Sequence, residues 1–160
     1  MIDTIYLDMD GVICDFRKKC EDLDCIQGTK IDWKVVHENG PEFWSEMEWT
    51  KNGRPFYKWL KRLCDEEDID LYILSSVNFT DGKIGKIDWL KKNTSFDMHH
   101  ILIVPFGKDK AMYASETSLL IDDFGKNCQQ FSSIKNAKAV KFVSAMQARK
   151  DVLAALEEKD

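Results

Sequence analysis

No run of apolar residues in this 160-residue chain is long enough to cross a bilayer, so no membrane partner is expected. Cysteine occurs an odd five times, and none of Cys14, Cys20, Cys25, Cys64 and Cys128 makes a Cys-x-x-Cys pair. That argues against a disulfide framework and against a zinc site, and points to reduced thiols in a cytoplasm. The histidines His37, His99 and His100 show no ligand spacing and read as surface or loop residues. An apolar strand begins almost at Met1, so no secretory leader is expected before it. There is no internal repeat, low-complexity segment or splitting linker. Nor is there an excess of positive charge: the formal net charge of −5 argues against a stable complex with long nucleic acid. A small anionic substrate remains compatible if a metal ion and lysines offset that charge locally. Both a monomer and a homodimer fit these properties.

The hydrophobic content of 44% suffices for one core, and a single domain over residues 1–160 is expected. Thr4 to Asp10 reads as the first strand, and Gly11 lets the chain turn away. Val12 to Leu23 reads as a helix. Cys25 to Asn52 mixes Gly28, Gly40 and Pro41 with Trp33, Trp44 and Trp49, and reads as small helices and turns without sheet. The expectation is a small, mainly helical insertion over residues 15–53, after the first strand. Pro55 opens the next helix, with Phe56, Trp59, Leu60 and Leu63 at helical spacing.

Further strands are expected at Asp70 to Val77, Ile101 to Val104, Leu119 to Ile121 and Ala139 to Val143. Helices are expected at Asp81 to Asn93, Lys110 to Ser115, Asn127 to Ser133 and Asp151 to Lys159. In the Asp81 to Asn93 helix, Ile84, Ile87, Trp89 and Leu90 are the candidate buried side. Lys83, Lys86, Lys91 and Lys92 read as its solvated face, with attraction of an anion as the other reading. Alternating strands and helices imply an α/β fold with a parallel sheet covered on both sides.

Polar groups gather where strands end: Asp8 and Asp10, Ser75, the Gly107-Lys108-Asp109-Lys110 turn, and Asp122-Asp123. In a parallel sheet these ends share one edge, where open α/β folds place ligands. An unpaired buried charge is costly, so two carboxylates at a strand end point to a cation. Magnesium takes oxygen ligands, usually one or two carboxylates with waters and a substrate phosphate. A carboxylate can attack phosphorus, a lysine neutralises phosphoryl oxygens, and a hydroxyl orients them.

Asp8-Met9-Asp10-Gly11-Val12 resembles the first motif of the haloacid dehalogenase (HAD) superfamily in its phosphatase form. Ser75 resembles the second, Lys110 the third and Asp122-Asp123 the fourth, in the family's order. Within that superfamily the chain is most similar to the 5'(3')-deoxyribonucleotidases. The words that carry this are Phe43-Trp44-Ser45-Glu46-Met47, Lys108-Asp109-Lys110 and Leu119-Leu120-Ile121-Asp122-Asp123, with the position of the insertion. It departs at Phe124, where that family has an arginine.

The resemblance implies a HAD-like three-layer Rossmannoid sheet with a cap inserted after the first strand. It implies a magnesium-dependent phosphomonoesterase whose small-molecule substrate is a nucleoside monophosphate. Asp8 would be the nucleophile and Asp10 the general acid and base. Magnesium would lie at Asp8, Asp10 (through its backbone carbonyl), Asp122 and Asp123. Ser75 and Lys110 would hold the phosphoryl group, with Lys110 preferred to Lys108 for that part. Ser76 and Lys108 would meet the rest of the substrate, and Phe43 and Trp44 would stack on a base or, on the plainer reading, fill the insertion's core. A sugar phosphate or a nucleic-acid 3'-phosphate is the alternative substrate, and a non-catalytic binding module the alternative class.

Overall fold

The computed structural model describes residues 1–157. At its centre lies β1 (Thr4–Leu7), paired in parallel with β4 (Asp70–Ser76) on one side and β6 (Ser118–Asp122) on the other. β5 (Ile101–Val104) and β7 (Lys138–Lys141) complete a five-stranded parallel sheet in the order β5-β4-β1-β6-β7. Chain order reverses beside β1, as in doubly wound Rossmannoid sheets, and the crevice at that reversal is where such sheets bind ligands. The expected three-layer α/β fold is therefore the one observed.

The layers follow from strand alternation. Ile5, Leu7, Ile73, Leu119 and Ile121 face one core, shared with Phe56 and Leu60 of α4 (Gly53–Glu67), Trp89 of α5 (Thr80–Asn93) and Ala148 of α7 (Ala145–Glu157). Tyr6, Leu74, Leu120 and Ala139 face the other, under Phe131 of α6 (Gly125–Ser132). All of Leu119, Leu120 and Ile121 are fully buried, as a strand covered on both sides requires. Each such side chain contributes about 1.5–3 kcal/mol by leaving water. No helix among the described residues is long and apolar enough to cross a membrane.

Several boundaries differ from the sequence expectation. β1 stops at Leu7, and Asp8 continues the ladder only through its N–H to the Ile121 carbonyl. Val12 to Cys14 are not helical, because the Met9 carbonyl collects the N–H groups of Val12, Ile13 and Cys14 in a tight loop. α1 therefore begins at Phe16 (Phe16–Asp22), with Asp15 capping the Lys18 N–H. The 26–45 stretch does contain sheet: β2 (Ile26–Gln27) and β3 (Lys30–Ile31) form an antiparallel hairpin. The short helices α2 (Trp33–Glu38) and α3 (Glu42–Ser45) follow. α7 starts at Ala145, before the expected Asp151. The end expected at Lys159 lies outside the described residues.

Two fastenings position this segment. Thr50 donates its hydroxyl to the Val12 carbonyl at 2.6 Å and its N–H to Ile13 at 2.9 Å. On α5, Gly85 passes so close to α3 that a methyl group there would collide with the Pro41 carbonyl and Trp44 Cβ. Trp89 in the next turn donates its indole N–H to the Met47 carbonyl at 2.7 Å.

Candidate active site

Register brings the carboxylates together. Leu7 is paired with Ile121, so Asp8 and Asp122, one residue on in each strand, stand side by side at the carboxyl edge. Lys110 comes from the turn of 3-10 helix Gly107–Tyr113 after β5 and lies between them. Its Nζ is 2.8 Å from Asp8 Oδ1 and 2.6 Å from Asp122 Oδ2. All three side chains are buried. Asp122 also accepts from the Phe124 N–H at 2.8 Å and from Asn127 Nδ2 at 3.0 Å. Asp123 stands at the exposed edge, and a Cβ on Gly11 would collide with its carboxylate. Gly11 has φ +78°, a conformation that glycine adopts without strain.

Oxygen atoms of Asp8, Asp122 and Asp123 lie within 4.8 Å of one another. An all-oxygen set of that size suits a hard divalent cation. The Asp10 carboxylate is not part of it. Its Oδ2 instead accepts from Lys86 Nζ at 2.6 Å, and its Oδ1 is buried without a hydrogen-bond partner.

Lys86 is the residue that sequence reasoning misplaced. Far from lying on a solvated face, it is 0% exposed, and it also donates to Ser75 Oγ at 2.7 Å. Ile84, expected inside, is 44% exposed. The buried positions of α5 are Gly82, Gly85, Lys86, Trp89 and Leu90, a run at intervals of three and four. That helical spacing was the available signal, hidden because glycines and a lysine occupy an apolar stripe.

Ser75 is fully buried at the end of β4, and Ser76 reaches the open cleft. Lys108 is exposed, with its Nζ 5.8 Å from the Phe106 ring centre. Phe43 corrects the stacking expectation. It is fully buried, packed edge-on against Phe16 and Trp44, and is a core residue that lines neither cavity described below. Phe16, which the sequence reading passed over, lines both of them.

Two cavities meet at Asp10. One, of about 520 Å³, contains Asp8, Asp122, Asp123 and Lys110, with Arg17, Lys108 and Lys126 on its walls. The other, of about 930 Å³, is walled by aromatic rings that include Phe16, Trp33, Trp44, Phe79, Phe106 and Phe124. Phe106 is 52% and Phe124 57% exposed, an uncommon presentation of large apolar rings at a cleft mouth. The Trp44 indole N–H is buried without a partner.

Burial pushes Asp8 up to about 7, and the charges of Asp122, Asp10 and Asp123 add to this against the opposing pull of Lys110. Asp123 is pushed up to about 6 by loss of water around its carboxyl and by Asp122 and Asp10. For Lys110, burial works against the charge, but Asp8 and Asp122 outweigh it and raise the pKa above the usual lysine value. A carboxyl raised in the folded state contributes stability that is full below its unfolded pKa and lost as pH climbs through the folded one. For Asp8 and Asp123 that window runs from the ordinary 3.8 up to about 7 and about 6. Lys110 loses its contribution only in strong alkali. Thermal melts of the metal-free protein are therefore expected to show a lower Tm at about pH 8 than at about pH 5. Added magnesium should raise Tm more at the higher pH, because a cation binds the bare carboxylates. A metal-free Tm that climbs over that interval would contradict the assignment.

No family model matches the chain, and no curated protein matches it. Ten solved chains match in structure. One is a HAD family enzyme from Bacteroides thetaiotaomicron in a magnesium complex, with a TM-score of 0.49 and 14% sequence identity, covering 98% of this chain and 99% of that one.

Proposed function

We propose that the chain is a magnesium-dependent phosphomonoesterase of the HAD type, acting on nucleoside monophosphates. The observation that carries this reading is the meeting of Asp8, Asp10, Lys110 and Asp122 in one cleft that opens onto an aromatic-walled cavity. Residues 15–53 act as the cap that supplies part of that wall.

Asp8, Asp122 and Asp123, with the Asp10 backbone carbonyl, would hold magnesium, whose charge would offset that of the phosphate and free Asp8 to act as an anion. The Asp8 carboxylate attacks phosphorus, the bond from phosphorus to the ester oxygen breaks, and Asp10 gives that oxygen a proton. The same Asp10 then takes a proton from water, whose oxygen attacks the aspartyl-phosphate and releases phosphate and the free carboxylate. Proton transfer of this kind contributes about 10²–10⁴-fold. Lys110 holds the phosphoryl oxygens during transfer, while Ser75, fully buried and outside both cavities, supports the site through its hydrogen bond with Lys86. Phe16, which lines both cavities, offers a ring to a base, and stacking of this sort is worth about 1–3 kcal/mol per base. Trp44, 2% exposed and packed against Phe16, Phe43 and Phe79, supports that wall from within.

The test is phosphate release, with magnesium, from deoxyribo- and ribonucleoside monophosphates, sugar phosphates and a 3'-phosphorylated oligonucleotide. Nucleoside monophosphates should give the highest kcat/KM. A preference for sugar phosphates would remove the part assigned to the aromatic cavity, and no release from any ester would remove the enzyme.

A further inference from the structure

Within the phosphatase reading, on which this inference rests, we propose that Lys86 is a positioning residue that sets the Asp10 carboxylate for proton transfer to the leaving group. It reaches the site from α5, far from the strand ends that supply the other groups.

An ammonium hidden from water is costly unless its N–H groups are paired. Lys86 is wholly buried, and two of its donors are taken by Asp10 Oδ2 at 2.6 Å and Ser75 Oγ at 2.7 Å. The charge also lies 5.0 Å from the centre of the Trp44 ring, within the range of a cation–π contact. These contacts form one chain from the Trp44 wall through Lys86 to Asp10 and Ser75.

The consequences are specific. With Oδ2 held, the Asp10 carboxyl cannot rotate freely. The other oxygen, Oδ1, is shielded from solvent and has no hydrogen-bond partner, so the carboxyl held by Lys86 presents one fixed orientation to the cleft. The Ser75 hydroxyl, fully buried, accepts a second Lys86 N–H and so fixes the ammonium beside Asp10. Gly82 and Gly85, one turn and one residue before Lys86, permit the approach. Side chains there would collide with Val77 and with Pro41 and Trp44.

A lysine that merely balanced the acidic cluster would affect every substrate alike. One that aims Asp10 matters only where the departing oxygen needs a proton. Lys86→Met is therefore compared with the native protein on a deoxyribonucleoside 5'-monophosphate, whose alkoxide is a poor leaving group, and on p-nitrophenyl phosphate, whose phenolate leaves unaided. The readout is kcat/KM, which stops at loss of the leaving group and excludes hydrolysis of the aspartyl-phosphate. The nucleotide should lose about 10²–10³-fold and the nitrophenyl ester less than about 10-fold. A melt of the same preparation shows that it is folded. If Lys86→Met does not fold, Lys86→Arg carries the same comparison, since arginine keeps the charge but not the compact donor geometry. Equal losses on the two esters, or none, would overturn the proposal. A native protein inert toward both would overturn the phosphatase reading and this one with it.

Discussion

Asp8→Asn is expected to lower phosphate release by at least about 10³-fold while leaving the fold intact. Asparagine matches aspartate in shape, and its carbonyl can still accept from Lys110, which keeps Asp122 as its charged partner at 2.6 Å. What would be lost is the anionic oxygen proposed to attack phosphorus. Stability should move the other way. Asp8 is 6% exposed and is pushed up to about 7, first by burial and then by neighbouring carboxylates, so its ionisation strains the metal-free fold. A neutral amide removes that strain. The Tm of the metal-free variant should equal or exceed the native value, with the larger gain above about pH 7, where native Asp8 is charged. Phosphate assays and melts on one preparation test both halves. Release that survives the substitution would mean another nucleophile, and a variant that fails to fold would make Asp8 a structural residue.

Much of this site is legible in the sequence because strand ends are local features. An apolar run that stops at Asp8 or at Asp122 states where a strand leaves the core, and a parallel sheet places such ends on one edge. Lys86 was not legible by that route. Its placement depends on α5 lying against the Pro41–Trp44 segment, a tertiary contact made possible by Gly85. An apolar count chooses Ile84 for the buried side. The stripe through Gly82, Gly85, Lys86 and Trp89 appears only when period is weighed above hydrophobicity. The exchange of Phe43 for Phe16 has a similar cause. Both are aromatic, and tertiary packing alone separates them: Phe43 on α3 is buried against Trp44, and Phe16 at the start of α1 lines both cavities. The hairpin at Ile26 to Ile31 was missed because its strands are two residues each, too short to show alternation.

Lys110→Met should carry the largest stability cost at the site. Lys110 is 1% exposed and is the cation between Asp8 and Asp122. Methionine fills similar space but leaves two buried carboxylates facing each other with no countercharge. Removing one partner from such a buried set costs about 3–5 kcal/mol. For a chain of this length each kcal/mol moves Tm by about 2–4 °C, so the metal-free variant should melt roughly 6–20 °C below the native protein. Asp122 keeps the Phe124 N–H and Asn127, but these are dipoles and do not cancel a charge. Magnesium should then raise the Tm of Lys110→Met by more than it raises the native Tm, because the ion meets the same carboxylates without a competing ammonium. Phosphate release should fall as well, and excess magnesium should restore stability without restoring rate, since an ion at the carboxylates cannot replace the donor that the proposed mechanism has Lys110 present to the phosphoryl oxygens. If melting is unchanged without metal, the Asp8–Lys110–Asp122 cluster is not the buried, mutually dependent unit described here.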